Sequence, residues 1–393
     1  MKKKILIISD GVYLSTGFAT VTRNLYKILK DKFEIRVLAT VPHKSVYQKP
    51  IVYIPEGRDI ADIFTDILKN YNPDLVISVS DIWRLGFIVD VKQDYPFNWL
   101  AYVPVEAEHL PLKVQYNGVF VNNYIILNYA EILVAYSKFG KEELEKFGLA
   151  VSDYIYHGVD TEFFQPLKID RKQLLKSIFN IDNPDVRVFL CVCDNQNRKR
   201  LDLLIRAWGD YKKQYPESES ILVLLTQPLK HNGYDIPKLL EIYNCSNSVF
   251  YFNEYLHGKG FTSEQLLTYY NLCDYFVMTS AGEGFGLPYL EAMACGKIPI
   301  YTDYATPKEI IADLGEPISV KEFYQAVGVY FKWAMIDVEK LVKIFYMCGR
   351  VRNNKNENCV KYAKKLDWKK LKAKWTVAIN QAMQKSIKIG GKI

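Results

Sequence analysis

The sequence contains no apolar run long enough to cross a lipid bilayer, which requires about 20 consecutive residues. A secretory signal is also missing, because Lys2, Lys3 and Lys4 precede only the short apolar run Ile5–Ile8. We therefore expect a soluble, cytoplasmic protein, located in the host cytoplasm if its source is viral. Any contact with a membrane would be peripheral.

Patterns of metal-binding residues are also absent. The five histidines are isolated along the chain, and no second His or Cys pair accompanies Cys191 and Cys193. The seven cysteines are odd in number and lie mostly within apolar segments. They are predicted to be reduced core residues of a cytosolic protein. The sequence therefore predicts no metal site.

The glycine fingerprint of a dinucleotide-binding protein is missing as well. The apolar run Ile5–Ile8 is followed by a loop and a helical pattern that includes Val21, Leu25 and Ile28, but the loop lacks the spacing GxGxxG. This argues against a nicotinamide oxidoreductase. No motif for binding nucleic acid is present either. We predict neither a cofactor nor a nucleic acid partner.

The length and charge of the chain set broad limits. A chain of 393 residues is too long for one ordinary core, and two to three domains are expected. The net charge of +7 is spread along the chain, with small clusters at Lys2–Lys4 and Lys369–Lys374. Such charge could attract phosphate-bearing substrates or an acidic membrane. The favoured interpretation is a solvated face, which is the commoner case.

Short apolar runs alternate with helical patterns along most of the chain. This alternation predicts an α/β protein with parallel sheets that are covered on both faces. Ligands bind such sheets at the carboxyl ends of the strands. The predicted strands are Ile5–Ile8, Glu34–Ala39, Leu75–Val79, Trp99–Val103, Ile132–Ala135, Val186–Cys193, Ile221–Leu225, Ser248–Phe252, Tyr275–Met278 and Ile298–Tyr301. One helix is predicted to begin with a capping box at Thr262 and Gln265, followed by an apolar stripe of Leu266, Leu267 and Tyr270. Thr306, before Pro307, is predicted to cap another helix.

The stretch EGFGLPYLE, from Glu283 to Glu291, follows one of these strands. Its alternate glycines let the backbone approach a ligand closely, and Pro288 suits the first turn of a helix. The start of that helix would attract an anion such as phosphate. Glu283 in the loop and Glu291 about two turns later could each accept hydroxyl hydrogen bonds. A phosphate-binding helix start with a hydroxyl-binding carboxylate on each side matches a nucleotide sugar, in which a diphosphate joins a ribose to a hexose. The alternative is a glycine-rich turn before a core helix.

The longer stretch EGFGLPYLEAMACG resembles the Glu-x7-Glu signature of the retaining GT-B glycosyltransferases of family 4, also called group 1. It is most similar to the members encoded by archaea and large DNA viruses. The resemblance implies two Rossmann-like domains whose parallel sheets face each other across a cleft. It also implies that Glu291 binds the ribose hydroxyls, and that the donor sugar is held by Glu283 with Gly284, Phe285, Gly286 and Leu287.

Further site residues are implied by the same resemblance. Lys199 matches the lysine that neutralises the donor diphosphate, whereas the family's arginine position holds Cys193 or Asp194, so Arg198 is the substitute. The alternative for these cations is a solvated turn that caps a helix. Gly17 matches a glycine that faces the donor phosphates, although many members have two glycines there and this chain has one.

The remaining implied contacts concern the nucleobase and the acceptor. Tyr255 and Leu256 lie where the nucleobase rests against the backbone. Glu106 or His109 occupies the place of a contact to the transferred sugar on the acceptor side, and a lone histidine is more often structural. Together, Glu283, Lys199, Arg198, Glu106 and His109 form the predicted catalytic group.

Domain limits follow from composition and resemblance. The turn-forming segment from Tyr156 to Pro166 is predicted to end the first domain, residues 1–165. The second domain spans residues 166–369. In the family the last helix packs back on the first domain, so residues 370–393 are assigned to it.

The predicted function is a retaining, metal-independent glycosyltransferase. It would transfer a hexose, with mannose from GDP-mannose as the preferred choice, to a glycan or glycoprotein acceptor. An inactive nucleotide-sugar-binding homologue and a nucleotide-sugar epimerase of the same architecture stay as alternatives. Peripheral contact with a membrane and formation of a homodimer both stay open.

Overall fold

The computed structural model describes residues 2–41, 47–48, 50–55, 57–116, 118–252, 260–325, 331–351 and 356–388, and it describes only the backbone at 47, 48, 116 and 119. Contacts divide the chain into two compact units. The first comprises the described residues of 1–158, 326–331 and 368–393, and the second those of 159–325 and 332–367. Each unit contains its own parallel sheet.

The first unit contains an eight-stranded sheet in the order β10-β9-β6-β5-β1-β2-β4-β3. Neighbouring strands pair in parallel except β3 with β4, and the strands β7 and β8 form a separate antiparallel hairpin. Ile5–Ile8 in the central strand are fully buried, as expected for a parallel sheet covered on both faces. The strands are β1 (Lys4–Ser9), β2 (Glu34–Ala39), β3 (Tyr47–Gln48), β4 (Ile51–Tyr53), β5 (Leu75–Val79), β6 (Trp99–Val103), β7 (Lys113–Tyr116), β8 (Val119–Asn122), β9 (Ile132–Ala135) and β10 (Asp153–Tyr154).

Four helices of the first unit begin after side chains suited to capping. Thr16, Asp59, Asn122 and Ser137 each accept a hydrogen bond from a backbone N–H in the first turn of the helix that follows. The last helix also belongs to this unit, since the ring of Trp375 lies 4.8 Å from that of Tyr102. The helices are α1 (Gly17–Leu29), α2 (Ile60–Tyr71), α3 (Gly86–Asp94), α4 (Asn123–Asn128), α5 (Lys138–Lys146) and α14 (Trp368–Gln384).

The second unit contains a six-stranded parallel sheet in the order β13-β12-β11-β14-β15-β16. Two further strands, β17 and β18, pair with each other in an antiparallel ribbon. The strands are β11 (Arg187–Val192), β12 (Ser220–Leu225), β13 (Val249–Tyr251), β14 (Tyr275–Met278), β15 (Ile298–Thr302), β16 (Glu316–Ile318), β17 (Val320–Gln325) and β18 (Lys332–Ile336). The helices are α6 (Arg171–Phe179), α7 (Leu201–Gln214), α8 (Ile236–Ile242), α9 (Ser263–Leu272), α10 (Leu287–Ala294), α11 (Ala305–Ile311), α12 (Val338–Gly349) and α13 (Glu357–Lys365).

The predicted α/β fold with two Rossmann-like units is confirmed. Each strand predicted from an apolar run is present, with its ends displaced by no more than about one residue. The capping box of α9 is also present, because Gln265 N–H donates to the Thr262 hydroxyl and Thr262 N–H donates to the Gln265 side chain. All seven cysteines are free and buried.

One helix cap was predicted wrongly. The sequence suggested that Thr306 caps the helix that follows it, but α11 begins one residue earlier, at Ala305, and its N-cap is Tyr304. The Thr306 hydroxyl instead donates to the carbonyl of Gly284. A tertiary hydrogen bond has therefore replaced the local cap.

His157 lies in an aromatic cluster of the first unit. Its ring is 3% exposed and lies 4.3 Å from the ring of Tyr136. The Tyr102 hydroxyl donates to the Ile155 carbonyl at 2.6 Å and lies 2.8 Å from His157 Nδ1. Because that hydroxyl has one proton, Nδ1 must donate to the Tyr102 oxygen. Burial lowers the pKa of His157 to about 3, so the ring is neutral.

The buried histidine makes the stability of this unit depend on pH. The unfolded side chain has a pKa of about 6.5, well above the folded value, so between the two only the unfolded chain takes up a proton. The contribution of His157 to the free energy of unfolding is complete above about pH 6.5. It is lost as the pH falls toward the pKa of the folded state. We expect His157 alone to lower the free energy of unfolding by about 2 kcal/mol between pH 7 and pH 5.

Urea unfolding of the wild type and of His157→Phe at both pH values measures this contribution. The phenylalanine variant keeps the bond from Tyr102 to Ile155 and cannot take up a proton. The loss of stability on acidification should be about 2 kcal/mol smaller in the variant. Equal losses in the two proteins would show that His157 is not the source of the pH dependence.

Candidate functional site

The loop 279–286 joins strand β14 to helix α10 in the second unit and carries Glu283. The carboxylate is buried, with the residue only 5% exposed. Gly286 ends the loop in a left-handed conformation with φ of 94°, and a Cβ there would lie 2.7 Å from the ring of Tyr289. Any side chain would therefore clash at Gly286, and the loop can make this turn only with glycine.

The start of α10 is suited to binding an anion. Gly286 provides no capping side chain, and Pro288 lies in the first turn. Backbone N–H groups at a helix start carry partial positive charge and favour phosphate. The expected helix start after the glycine-rich loop is therefore present in the structure.

The cations predicted at the site lie on a short 3₁₀ turn, Asn197–Lys199, that follows strand β11. The loop at Glu283 holds this turn through two backbone carbonyls. Ala281 N–H donates to the Arg198 carbonyl at 2.7 Å, and the Thr279 hydroxyl donates to the Lys199 carbonyl at 3.2 Å. We call residues 198–200 the basic turn.

Both predicted cations contact Glu283. Arg198 Nη1 lies 3.0 Å from Glu283 Oε2, and Lys199 Nζ donates to Glu283 Oε1. Burial alone would raise the pKa of Glu283, but the charges of Lys199 and Arg198 outweigh it and lower the pKa to about 2. The carboxylate is therefore ionised at neutral pH.

The charges of these three groups do not cancel. Two cations share one carboxylate, and the lysine and arginine side chains are 10% and 13% exposed. The net positive charge lies in a mostly buried place, where electrostatic interactions are strong. A diphosphate could compete with Glu283 for Lys199 and Arg198, which would leave the carboxylate able to accept hydroxyl hydrogen bonds.

Glu291 lies on the second turn of α10 and is half-buried. The hydroxyl of Tyr270, on α9, donates to Glu291 Oε2 at 2.8 Å. Tyr270 is itself fully buried, and burial raises its pKa well above the ordinary value, so it stays a hydrogen-bond donor at neutral pH. Tyr270 therefore fixes the direction of the Glu291 carboxylate.

The other residues of the second unit that are predicted to bind the sugar donor differ in how buried they are. Phe285 is 4% exposed, so its ring belongs to the core, whereas Leu287 is half-buried at the start of α10. The carbonyl of Gly284 accepts the Thr306 hydroxyl at 3.3 Å. Tyr255 and Leu256 lie outside the described residues.

Three predicted site residues belong to the first unit. Gly17 is the first residue of α1, directly after the cap Thr16, and is exposed. His109 is exposed and has a left-handed backbone with φ of 61°, and its N–H donates to the Glu143 carboxylate at 3.2 Å. Glu106 is half-buried three residues earlier. The carboxylate of Glu143 therefore holds the backbone at His109.

Several supporting residues were missed from the sequence. Tyr270 was interpreted as part of an apolar stripe, Thr306 as a cap, and Thr279 received no role. Asn195 was also overlooked, although its buried side chain donates to the carbonyls of Gln227 and Tyr234. All of these hydrogen bonds join residues far apart in the sequence, so local patterns contain no signal for them.

The described residues contain neither a candidate metal cluster nor a candidate membrane-spanning helix. Within them, no three His, Cys, Asp or Glu residues are grouped so that they could hold a metal ion. Over the same residues, no helix combines the length and the apolarity that a membrane span requires.

Comparison with known proteins finds a family model that matches part of the chain and several distant relatives. Residues 176–365 match the model for glycosyl transferases group 1. Uncharacterized glycosyltransferase 335 of Sulfolobus islandicus rod-shaped virus 1 is 23% identical over 292 residues, which is 70% of this chain and 79% of the relative. The serotype-specific mannosyltransferase WbdA of Escherichia coli is 29% identical over 273 residues, 65% of this chain, and the chain spans only 31% of WbdA.

A third relative is the GDP-mannose-dependent alpha-(1-6)-phosphatidylinositol monomannoside mannosyltransferase of Mycolicibacterium smegmatis. It is 27% identical over 158 residues, 38% of each chain. Among solved structures, sucrose-phosphate synthase from Thermosynechococcus elongatus has a TM-score of 0.72 at 16% identity. The match covers 97% of this chain and 99% of the synthase chain. Anabaena HepE in complex with UDP and glucose also has a TM-score of 0.72, at 14% identity, with 96% and 99% coverage.

The identities to the solved structures are low, so these structures show the fold alone, and the family model covers only residues 176–365. The two Rossmann-like units have the GT-B fold, and residues 176–365, just under half of the chain, match the model for group 1 glycosyl transferases.

Proposed function

We propose that this glycosyltransferase moves a mannosyl group from GDP-mannose to a glycan or glycoprotein acceptor, with retention of configuration and without a metal ion. The observation that carries the proposal is the pairing of Glu283 with Lys199 and Arg198 beside the start of α10. The choice of mannose is supported by the mannosyltransferase relatives, and GDP by the relative named as dependent on GDP-mannose.

The reaction breaks the bond between the sugar C1 and the diphosphate oxygen. Negative charge develops on the departing diphosphate. Lys199, Arg198 and the partial positive charge at the start of α10 would stabilise it. The basic turn is fixed by backbone hydrogen bonds before the donor arrives, so little reorganisation is needed during the reaction.

The acceptor hydroxyl forms the new bond to C1 on the face that the diphosphate leaves. Its proton passes to the departing phosphate oxygen, which balances the charge without a protein base. The step therefore needs no protein nucleophile, and Glu283 does not attack C1. In this proposal Glu283 accepts hydrogen bonds from the sugar hydroxyls after the diphosphate has taken Lys199 and Arg198.

The ribose would be held by the second carboxylate of the motif. Glu291 lies on the same helix as the diphosphate-binding start, and Tyr270 already orients it. A carboxylate in this position can accept two hydroxyl hydrogen bonds from vicinal ribose oxygens. Glu283 and Glu291 would then contact opposite ends of the donor.

Calorimetric titration with GDP-mannose and with UDP-glucose tests the donor. We expect heat of binding from GDP-mannose and a much weaker signal from UDP-glucose. Heat from the uridine sugar alone would refute the choice of donor. GDP and UDP without sugar serve as controls, because they separate recognition of the base from recognition of the hexose.

Release of mannose completes the test. Hydrolysis of GDP-mannose and transfer of its mannosyl group are measured with and without added glycan acceptors. These measurements distinguish an enzyme from a homologue that only binds the donor. Binding without any turnover would contradict the proposed transfer. Conversion of the sugar to its epimer without an acceptor would instead identify an epimerase.

A further inference from the structure

The antiparallel ribbon β17–β18 contacts the loop that carries Glu283. Ala334 N–H on β18 donates to the Ala281 carbonyl at 2.9 Å, and Ala281 N–H donates to the Arg198 carbonyl. Ala281 is therefore hydrogen-bonded to the ribbon on one side and to the basic turn on the other. The ribbon lies outside the six-stranded sheet, so its contacts with the site are additional to those of the sheet.

A second contact links the ribbon directly to the basic turn. Arg200 Nη1 donates to the Tyr324 hydroxyl at 3.2 Å, and the guanidinium lies 5.6 Å from the centre of the Tyr324 ring. Asp202 accepts from Arg200 Nε and Nη2 at 3.0 and 2.8 Å. The Arg200 side chain is 13% exposed and so is held between a carboxylate and a phenol.

The backbone of Arg200 is in an unusual conformation. Its φ is 51°, in the left-handed region that favours glycine. The Thr279 hydroxyl lies 3.2 Å from the Lys199 carbonyl and 3.1 Å from the Arg200 carbonyl, so the two carbonyls share its one proton. Non-glycine residues keep such a conformation only where the surroundings enforce it. The contacts with Tyr324 and Asp202 supply that enforcement at the side chain.

We propose that Tyr324 is a positioning residue, which holds Arg200 and thereby sets the basic turn so that Lys199 and Arg198 converge on Glu283. The proposal rests on the proposed function, because it assigns the ribbon a part in binding the donor diphosphate. Neighbouring residues of a strand point to opposite faces, so Phe323, next to Tyr324, has a different environment. It packs on Tyr304 with ring centres 5.1 Å apart.

The test compares three single variants. Tyr324→Phe removes the acceptor for Arg200 and keeps the ring. Arg200→Gly removes the side chain and suits the left-handed backbone, so a purely structural role of that residue predicts little harm. Phe323→Ala is the matched control, because it weakens the ribbon without touching Arg200.

Two measurements are made on each variant of the full chain. The first is the affinity for GDP and for UDP by calorimetry. The second needs no ligand and is hydrogen exchange at the Ala281 amide, which is bonded to Arg198. We expect Tyr324→Phe and Arg200→Gly to weaken nucleoside diphosphate binding about fivefold or more and to speed exchange at Ala281. Phe323→Ala should change neither by more than about twofold.

The double variant Tyr324→Phe with Arg200→Gly shows whether Tyr324 acts through Arg200. If it does, the double variant behaves like Arg200→Gly alone. Unchanged exchange at Ala281 in Tyr324→Phe would overturn the positioning role, whether or not the protein binds a nucleotide. If exchange speeds up but the wild type binds no nucleoside diphosphate, the proposed function fails and the positioning of the turn remains.

Discussion

Replacing Glu283 with glutamine is expected to lower kcat for mannosyl transfer by about a thousandfold, the upper range for loss of one electrostatic group at a reacting centre. Glutamine keeps the shape of the side chain but cannot hold the sugar as an anionic acceptor. The affinity for GDP should stay the same or improve, because Lys199 and Arg198 lose their competing carboxylate. Steady-state kinetics and GDP calorimetry measure the two effects separately.

A contrasting variant makes this expectation specific. Lys199→Ala removes the ammonium that would contact the diphosphate, so it should weaken GDP binding by about a hundredfold, the scale of a charged hydrogen bond in a buried place. Lys238→Ala is the control, because Lys238 is an exposed lysine of the same unit that pairs with Glu241 on the surface. Full activity of Lys199→Ala would remove the phosphate-binding role, and unchanged kcat in Glu283→Gln would remove the role in holding the sugar.

These opposite effects depend on a geometry that the sequence indicated only in part. The loop of Glu283 could be predicted because its glycines, proline and two glutamates lie within one short stretch. The turn with Arg198 and Lys199 could also be located. The direct contact between the two segments could not be predicted, since Lys199 and Glu283 are 84 positions apart in the sequence and are brought together by strand pairing and by Thr279.

The strands of both sheets were predictable for a simple physical reason. A parallel strand covered on both faces needs a continuous apolar run, and such runs stand out in the sequence. Strands β17 and β18 lack this signal, because most of β17 is exposed and its burial does not alternate regularly. The ribbon could therefore not be predicted, and with it Tyr324 was missed.

Caps were predictable when the polar side chain bonds to its own helix, as at Thr16 and Thr262. The prediction failed at Thr306 because its hydroxyl bonds to Gly284 in another segment. The preceding Ala305 has a left-handed φ of 52°, which a cap rule does not anticipate. Local rules thus succeed where the partner is local, and fail where a tertiary contact takes the same donor.

The buried ion pair of the first unit is the clearest case of a contact that local rules cannot reveal. Lys92 on α3 donates to both carboxylate oxygens of Glu131 at 2.8 and 2.9 Å, and the two side chains are 1% and 0% exposed. Glu131 also accepts the backbone N–H of Trp99 at 2.7 Å and that of Lys388 at 2.6 Å. One carboxylate therefore joins α3, β6 and the segment after α14.

Glu131→Ala is expected to lower the free energy of unfolding of the first unit by about 3–5 kcal/mol, the cost of leaving one partner of a buried pair uncompensated. Burial already lowers the pKa of Lys92, and loss of the carboxylate would lower it further. Keeping the Lys92 side chain charged inside the folded protein would therefore cost more free energy in the variant. Two backbone N–H groups would also lose their acceptor. Urea unfolding followed by tryptophan fluorescence measures the change.

Replacing Lys92 and replacing Glu131 should lower the free energy of unfolding by different amounts. This difference distinguishes a buried network from a simple ion pair. Lys92→Met leaves Glu131 with the N–H donors of Trp99 and Lys388, so it should cost less than Glu131→Ala. The double variant Lys92→Met with Glu131→Leu should cost less than the sum of the single changes, because neither charge is left alone. The exposed pair of Lys3 with Asp74 is the control, and Lys3→Ala should cost less than about 1 kcal/mol. If Glu131→Ala costs no more than Lys3→Ala, the network does not stabilise this unit, and the attachment of the segment after α14 must depend on apolar packing instead.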